Sequence, residues 1–252
     1  MGKTDNKSQN INLTYDEFRA RAQDPSLSRN EKIGFPDSYR DGFEDAIIAN
    51  ILRHLPALSG KGKVVADIGC GCSGIADRII ALAEKGGHTL LMADSKEMLD
   101  LLPKSKAVRP MPGLFPDNIA DFEPYVGKVD VIIIYSVLQH VILGHSIYRF
   151  LDEALTLLAP GGVLLLADIP STSKRERFFA SDAGVAFHKK FTGTDTDPPR
   201  EPIALKPQTI DDGVIFGILQ RYRNAGFETY VLPQPDTLPM HNRREDVLIV
   251  RW

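Results

Sequence analysis

Between residues 42 and 55, apolar side chains recur at Phe43, Ile47, Ile48, Ile51, Leu52 and Leu55, the spacing of an amphipathic helix, and Pro56 ends it. The period then changes. Residues 64–68 form a short apolar strand, glycines follow, and Ile75, Ile79, Ile80 and Ala83 supply a second helical stripe that Gly86 and Gly87 stop. The alternation predicts a strand over 89–93, a short helix over 96–102 and a strand over 107–111. Residues 129–135 are almost wholly β-branched and apolar, as in a strand buried on both faces of a parallel sheet. Ile147, Phe150, Leu151, Ala154, Leu155 and Leu158 make the next helix stripe, Pro160-Gly161-Gly162 turns the chain, and 163–167 form a fifth strand. A helix around 214–224, stopped by Gly226, leads to two closing strands at 227–232 and 246–251. Strands alternating with helices imply right-handed crossovers and a parallel α/β sheet.

Residues 171–212 interrupt this rhythm with Lys174, Arg175, Arg177, His188, Lys189 and Lys190 among four phenylalanines, then prolines. So long an insertion after a strand's C-terminal end is expected to act as a lid. The division that follows is an N-terminal extension or cover over 1–40 and one domain over 41–252 carrying the lid.

Composition narrows the partners. The 252 residues hold 30 Lys plus Arg against 33 Asp plus Glu, so the net charge is −3, with no basic surplus for nucleic acid or anionic lipid. The longest apolar stretch, 131–138, is too short to cross a bilayer and the first twelve residues are polar, which makes the cytoplasm the expected compartment. Cys70 and Cys72 sit too close for a strain-free disulfide and lack companion ligands, so no metal site is expected. No pattern in the chain specifies an oligomeric state.

The chemistry concentrates after the first strand. Gly69-x-Gly71-x-x-Gly74 lies between a predicted strand and a predicted helix, where glycines let the backbone approach a ligand and the helix start turns free N–H groups toward it. Read literally it is a dinucleotide fingerprint, with Asp94 twenty residues past Gly74 to accept ribose hydroxyls, and an NAD(P)-dependent oxidoreductase is the alternative function. Asp67 argues against it: a carboxylate two residues before the first glycine repels a pyrophosphate and attracts a cation. The chain also has no Tyr-x-x-x-Lys pair.

Val64-Val65-Ala66-Asp67-Ile68-Gly69-Cys70-Gly71 resembles the first motif of the class I S-adenosylmethionine-dependent methyltransferases. Leu91 to Ser95 with Met98-Leu99, Val129 to Val141, and Leu158 to Leu165 are similar to that family's second, fourth and fifth motifs, so the resemblance spans about 41–170. Ser73 departs from it, standing where many members have a third glycine. The resemblance implies a three-layer sandwich around a mostly parallel seven-stranded sheet with an antiparallel last strand, and S-adenosylmethionine as cofactor. It implies that Asp67, Gly69, Cys70 and Gly71 hold the methionine part, that Asp94 takes the ribose, and that Ser136 lies beside the methionine moiety. Ser95, Met98, Leu114 and Phe115 are candidates for the adenine wall.

Methyl transfer is an in-line displacement, so the protein aligns the nucleophile and can remove its proton. His140 and Asp168, at the C-terminal edge of the predicted sheet, are the candidate bases, and His145 is read as sitting at a helix N-terminus. The stretch Ile33 to Arg40 resembles segments of methyltransferases of surface-carbohydrate biosynthesis, with Phe35, Tyr39 and Arg40 positioned to cover the cofactor. That makes O-methylation of a small acceptor, a sugar, sugar nucleotide or other metabolite hydroxyl, the expected reaction.

Overall fold

A computed structural model describes residues 13–199 and 208–252. The first twelve residues of the expected cover, and 200–207 of the expected lid, lie outside them. The described chain runs α1 (Tyr15–Gln23), α2 (Arg29–Lys32), α3 (Glu44–His54), β1 (Val64–Ile68), α4 (Gly74–Gly86), β2 (Thr89–Asp94), α5 (Lys96–Leu99), β3 (Val108–Pro112) and β4 (Val129–Tyr135). It continues through α6 (Leu138–Gly144), α7 (Ile147–Thr156), β5 (Leu158–Pro170), α8 (Thr172–Phe179), α9 (Asp182–Thr192), α10 (Asp212–Asn224), β6 (Phe227–Leu232) and β7 (Arg244–Arg251).

The strands form one sheet in the order β3-β2-β1-β4-β5-β7-β6. The first five are mutually parallel, and β7 runs antiparallel to both β5 and β6. Side chains alternate across it. In β4, Val129, Ile132 and Ile134 join a core with Phe150 and Leu151 of α7 and Ile215 and Ile218 of α10, while Val131 and Ile133 join a second core with Ile47 and Ile51 of α3 and Ile79 and Ile80 of α4. Both faces are therefore covered by helices, which is why the β4 sequence is apolar at nearly every position. The expected three-layer sandwich and antiparallel last strand are what the chain forms.

Two local expectations change. The turn expected at Pro160-Gly161-Gly162 is a bulge inside β5, where pairing steps from Val129↔Leu158 to Val131↔Val163. Gly161 takes a φ of +76°, and a Cβ on Gly162 would meet the carbonyl oxygens of Ala159 and Val129 at 2.8 and 2.9 Å. The helix expected over 96–102 stops at Leu99, and α6 was not expected as a separate element.

Candidate active site

The strand order reverses between β1 and β4, and the C-terminal ends of β1, β2, β4 and β5 open beside that point, the position where α/β sheets bind ligands. A cavity of about 430 Å³ lies there. After Asp67, the chain turns at Gly69 and Gly71, with φ of +76° and +59°. Neither tolerates a side chain: a Cβ on Gly69 would meet Val137 Cγ2 at 2.5 Å and one on Gly71 would meet Ile33 Cγ2 at 2.7 Å. Helix α4 starts at Gly74 with Ser73 as its N-cap, so the residue that departs from the glycine pattern occupies an extended position that needs no glycine.

Asp94 is built into the same loop. Its Oδ2 accepts from the Gly71 N–H at 2.8 Å and its Oδ1 from the Ser95 N–H at 2.6 Å. Asp67 has no hydrogen bond to its carboxylate among the described residues, and neither carboxylate forms an ion pair there. Burial, followed by the charge of Asp94, pushes Asp67 up to about 7, and burial pushes Asp94 up to about 6 despite its two amide donors. Burial and the same two carboxylates raise the Cys70 thiol well above its ordinary range, so it stays protonated.

The ends of β4 and β5 carry two strained residues, Ser136 at φ +60° and Asp168 at φ +55°. Both are tied to Arg40, whose Nη2 donates to Ser136 Oγ at 2.7 Å and to Asp168 Oδ2 at 3.0 Å. Ser136 Oγ in turn donates to Asp168 Oδ2, and Arg244 Nε lies 3.6 Å from Asp168 Oδ1. The Asp168 N–H donates to Asp246 Oδ1 at 2.8 Å, and Asn50 and Gln234 also donate to Asp246. Arg40 stacks under the ring of Phe35, 3.9 Å from its centroid, and 5.4 Å from that of Tyr135.

The cover over the cavity comes from the N-terminal segment. Thr14, Tyr15, Asp16, Phe18, Ile33, Phe35 and Arg40 line it, whereas no described residue of 171–212 does. The expected lid instead forms α8 and α9, packed against each other, with α8 also against the 3₁₀ turn His241–Arg243. Two capping boxes start the cover's helices, Thr14 with Glu17 and Ser28 with Glu31, and their Ser/Thr-x-x-Glu spacing is the signal by which the sequence could have located them. Helix α1 is anchored by Arg19 Nη2 to Glu97 Oε1 at 2.8 Å and by packing of Ala22 and Phe18 on Met98 and Cys72.

Of the residues expected to form the site, Asp67, Gly69, Cys70, Gly71, Asp94, Met98, Leu114, Phe115, Ser136 and His140 line the cavity. Ser95 does not; it is fully buried and caps α5 through Oγ. Asp168 does not line it either, being 2% exposed and held by Arg40 and Arg244. His140 Nδ1 lies 3.2 Å from the Leu13 carbonyl, which can only accept, so the proton is on Nδ1 and Nε2 accepts from Gln139 Nε2 at 3.3 Å. Burial lowers this imidazole to about 4, and Phe18 packs edge-on against it at 4.8 Å. His145 stands exposed at the rim. Tyr15, Phe18, Ile33 and Tyr135 line the cavity and were missed by sequence reasoning, as was Arg244, which stands behind it on Asp168.

Among the described residues no group of side chains could hold a metal ion, and no helix is long and apolar enough to cross a membrane.

Residues 66–166, which run from β1 into β5, match the family model described as a methyltransferase domain. No curated protein matches the chain. Among solved structures, the plantazolicin methyltransferase BpumL, in complex with S-adenosylhomocysteine and a triazolic desmethyl analogue, superposes with a TM-score of 0.57 at 12% identity, over 94% of this chain and 98% of that one. The N-methyltransferase NodS from Bradyrhizobium japonicum WM9, in complex with S-adenosylhomocysteine, gives 0.52 at 13% identity over 94% and 97%. A Nostoc punctiforme protein assigned as an O-methyltransferase gives 0.50 at 16% identity over 81% of this chain, which spans 55% of that one. What the chain shares with these proteins at such identities is the class I methyltransferase fold.

Proposed function

We propose that the protein is an S-adenosylmethionine-dependent methyltransferase that methylates an oxygen of a small molecule. The observation that carries this reading is the pair of carboxylates, Asp67 buried and Asp94 half-buried, beside a glycine loop with no cationic side chain paired to either among the described residues. Carboxylates without a cationic partner favour a ligand that brings positive charge and hydroxyl donors, and disfavour the pyrophosphate of the alternative dinucleotide reading. The cavity volume falls within the roughly 300–1,000 Å³ of small-ligand sites.

In this reading Asp67 and the Gly69–Gly71 backbone hold the methionine end, Asp94 accepts from the ribose hydroxyls, and Met98, Leu114 and Phe115 wall the base. When bound, S-adenosylmethionine supplies a methyl group activated by its positive sulfur. The chain's part is alignment and exclusion of water, for which the N-terminal cover is suited. His140 then serves as the post that carries Leu13 rather than as the base, and Asp168 as the group that positions Arg40. A sugar or sugar nucleotide would need polar partners for its hydroxyls, and a wall containing Phe18, Val137, Val141, Leu143 and Phe150 supports an apolar acceptor instead.

Titration calorimetry with S-adenosylhomocysteine tests the reading. Binding is expected in the wild type and is expected to weaken by about 10- to 100-fold in Asp94→Ala, the worth of a charge-assisted hydrogen bond. Stabilisation by NAD(P)H without stabilisation by S-adenosylmethionine would replace it.

A further inference from the structure

Arg40 is 1% exposed and lines the cavity, yet among the described residues its Nε and Nη1 have no hydrogen-bond partner, the bonds to Ser136 and Asp168 both leaving from Nη2. Unpaired buried donors on a charged group are costly and imply an acceptor that completes them. The acceptor should be an anion. Asp168 is the only carboxylate paired with Arg40 among the described residues and it also faces Arg244, while the neighbouring Asp246 is taken up by Asn50, Gln234 and the Asp168 N–H rather than by either guanidinium. The wall beyond Ser136 is apolar, with Val137, Val141, Leu143 and Phe150, and of the two expected bases His140 has both nitrogens engaged while Asp168 lies outside the cavity.

An acceptor that arrives already deprotonated removes the need for a base. We propose that the acceptor is an apolar carboxylic acid, bound as its carboxylate by Arg40, and that the product is its methyl ester; this rests on the methyltransferase reading above. One carboxylate oxygen pairs with the guanidinium and the other attacks. A carbon–oxygen bond forms at the methyl carbon as the carbon–sulfur bond breaks, the electron pair goes to sulfur, and the charges of carboxylate and sulfonium cancel without a proton being moved. Arg40 is suited to this because a planar guanidinium matches the geometry of a carboxylate and the rings of Phe35 and Tyr135 hold its plane.

The carboxylate could instead be that of the cofactor's amino-acid end, and the experiment separates the two sources. With S-adenosylhomocysteine saturating, thermal shifts are measured with phenylacetate and octanoate and with their alcohol counterparts, 2-phenylethanol and octanol. The acids are expected to stabilise the wild type and the alcohols not. Arg40→Met is expected to abolish the acid response while the affinity for S-adenosylhomocysteine stays within about threefold, less than half of the 1.4 kcal/mol that makes a tenfold change. With methyl-labelled S-adenosylmethionine, the acids should yield label that mild base releases as methanol. Equal responses to acids and alcohols, or label stable to base, overturn the proposal. So does a tenfold loss of S-adenosylhomocysteine affinity in Arg40→Met with unchanged affinity for 5′-methylthioadenosine, which lacks the amino-acid end. If Arg40→Met does not fold, the acid and alcohol comparison on the wild type decides alone. Failure of the wild type to bind S-adenosylhomocysteine would strike the methyltransferase reading itself.

Discussion

Arg40 Nη2 lies 3.0 Å from Asp168 Oδ2, and the two side chains, 128 residues apart, are each 2% exposed. This buried ion pair joins the N-terminal cover to the end of β5. Removing one member leaves an uncompensated buried charge, a loss of about 3–5 kcal/mol. Asp168→Asn is therefore expected to lower stability by that amount in urea denaturation. A catalytic base would behave otherwise, with turnover lost and the unfolding midpoint unmoved.

Asp67 and Asp94 make the cavity pH-sensitive. Both carboxyls are raised above their ordinary values, to about 7 and about 6, so the folded protein binds protons more tightly than the unfolded chain between about pH 4 and 7. Stability without ligand is expected to fall as pH rises through that window, and Asp67→Asn should remove much of the fall. Affinity for S-adenosylmethionine should run the other way, rising by about tenfold or more from pH 5.5 to 7.5 as the carboxylates ionise. Calorimetry at matched ionic strength across that range checks the sign.

Gly69 combines a left-handed φ with a blocked side-chain direction. Gly69→Ala is expected to cost about 2–4 kcal/mol, from backbone strain and overpacking against Val137 together. The double variant with Val137→Ala should recover only the packing part. Gly87→Ala, at φ +63° with nothing within 4 Å of its Cβ, isolates the backbone part and should cost about 1–2 kcal/mol.

His140→Ala tests the post against the base. Loss of the bond to Leu13 is expected to speed cofactor dissociation by about tenfold while single-turnover transfer changes less than that. Stopped-flow release of a fluorescent cofactor analogue reads the first, and quench-flow the second. A fall in the transfer step alone would return His140 to catalysis.

The strands were legible because each carries its own period or apolar run; β1, β4 and β6 fall at the residues expected, and β2 and β3 within one. The glycine loop was equally local, since its strand, turn and helix signals are adjacent. Arg40 and Arg244 were harder. Their roles arise only when the sheet order brings β5 beside β7 and folds residues 13–40 across the strand ends, a long-range arrangement that no window of sequence encodes. The basic, aromatic segment 171–192 misled for a related reason: its cations answer carboxylates on the same flank, Lys174 with Glu245 and Arg177 with Asp212, rather than a ligand. Asp168 stood at the right strand end, but its left-handed backbone aims it at a salt-bridge network that only the fold reveals.

The roof of the cavity is held differently from its walls. Strands and long helices hold the walls through two continuous cores, whereas α1 rests on a small apolar cluster, one exposed ion pair to Glu97, the Leu13 carbonyl on His140 and hydrogen bonds to the short α2, from Lys32 Nζ to the Arg21 and Ala22 carbonyls and from Arg21 Nη1 to the Glu31 carbonyl. Pairs of that exposed kind contribute about 0.2–1 kcal/mol. The molecule thus has a rigid vessel with a lightly fastened stopper, and traffic of cofactor and product can be timed by lifting nine residues of helix while the sheet beneath keeps its register.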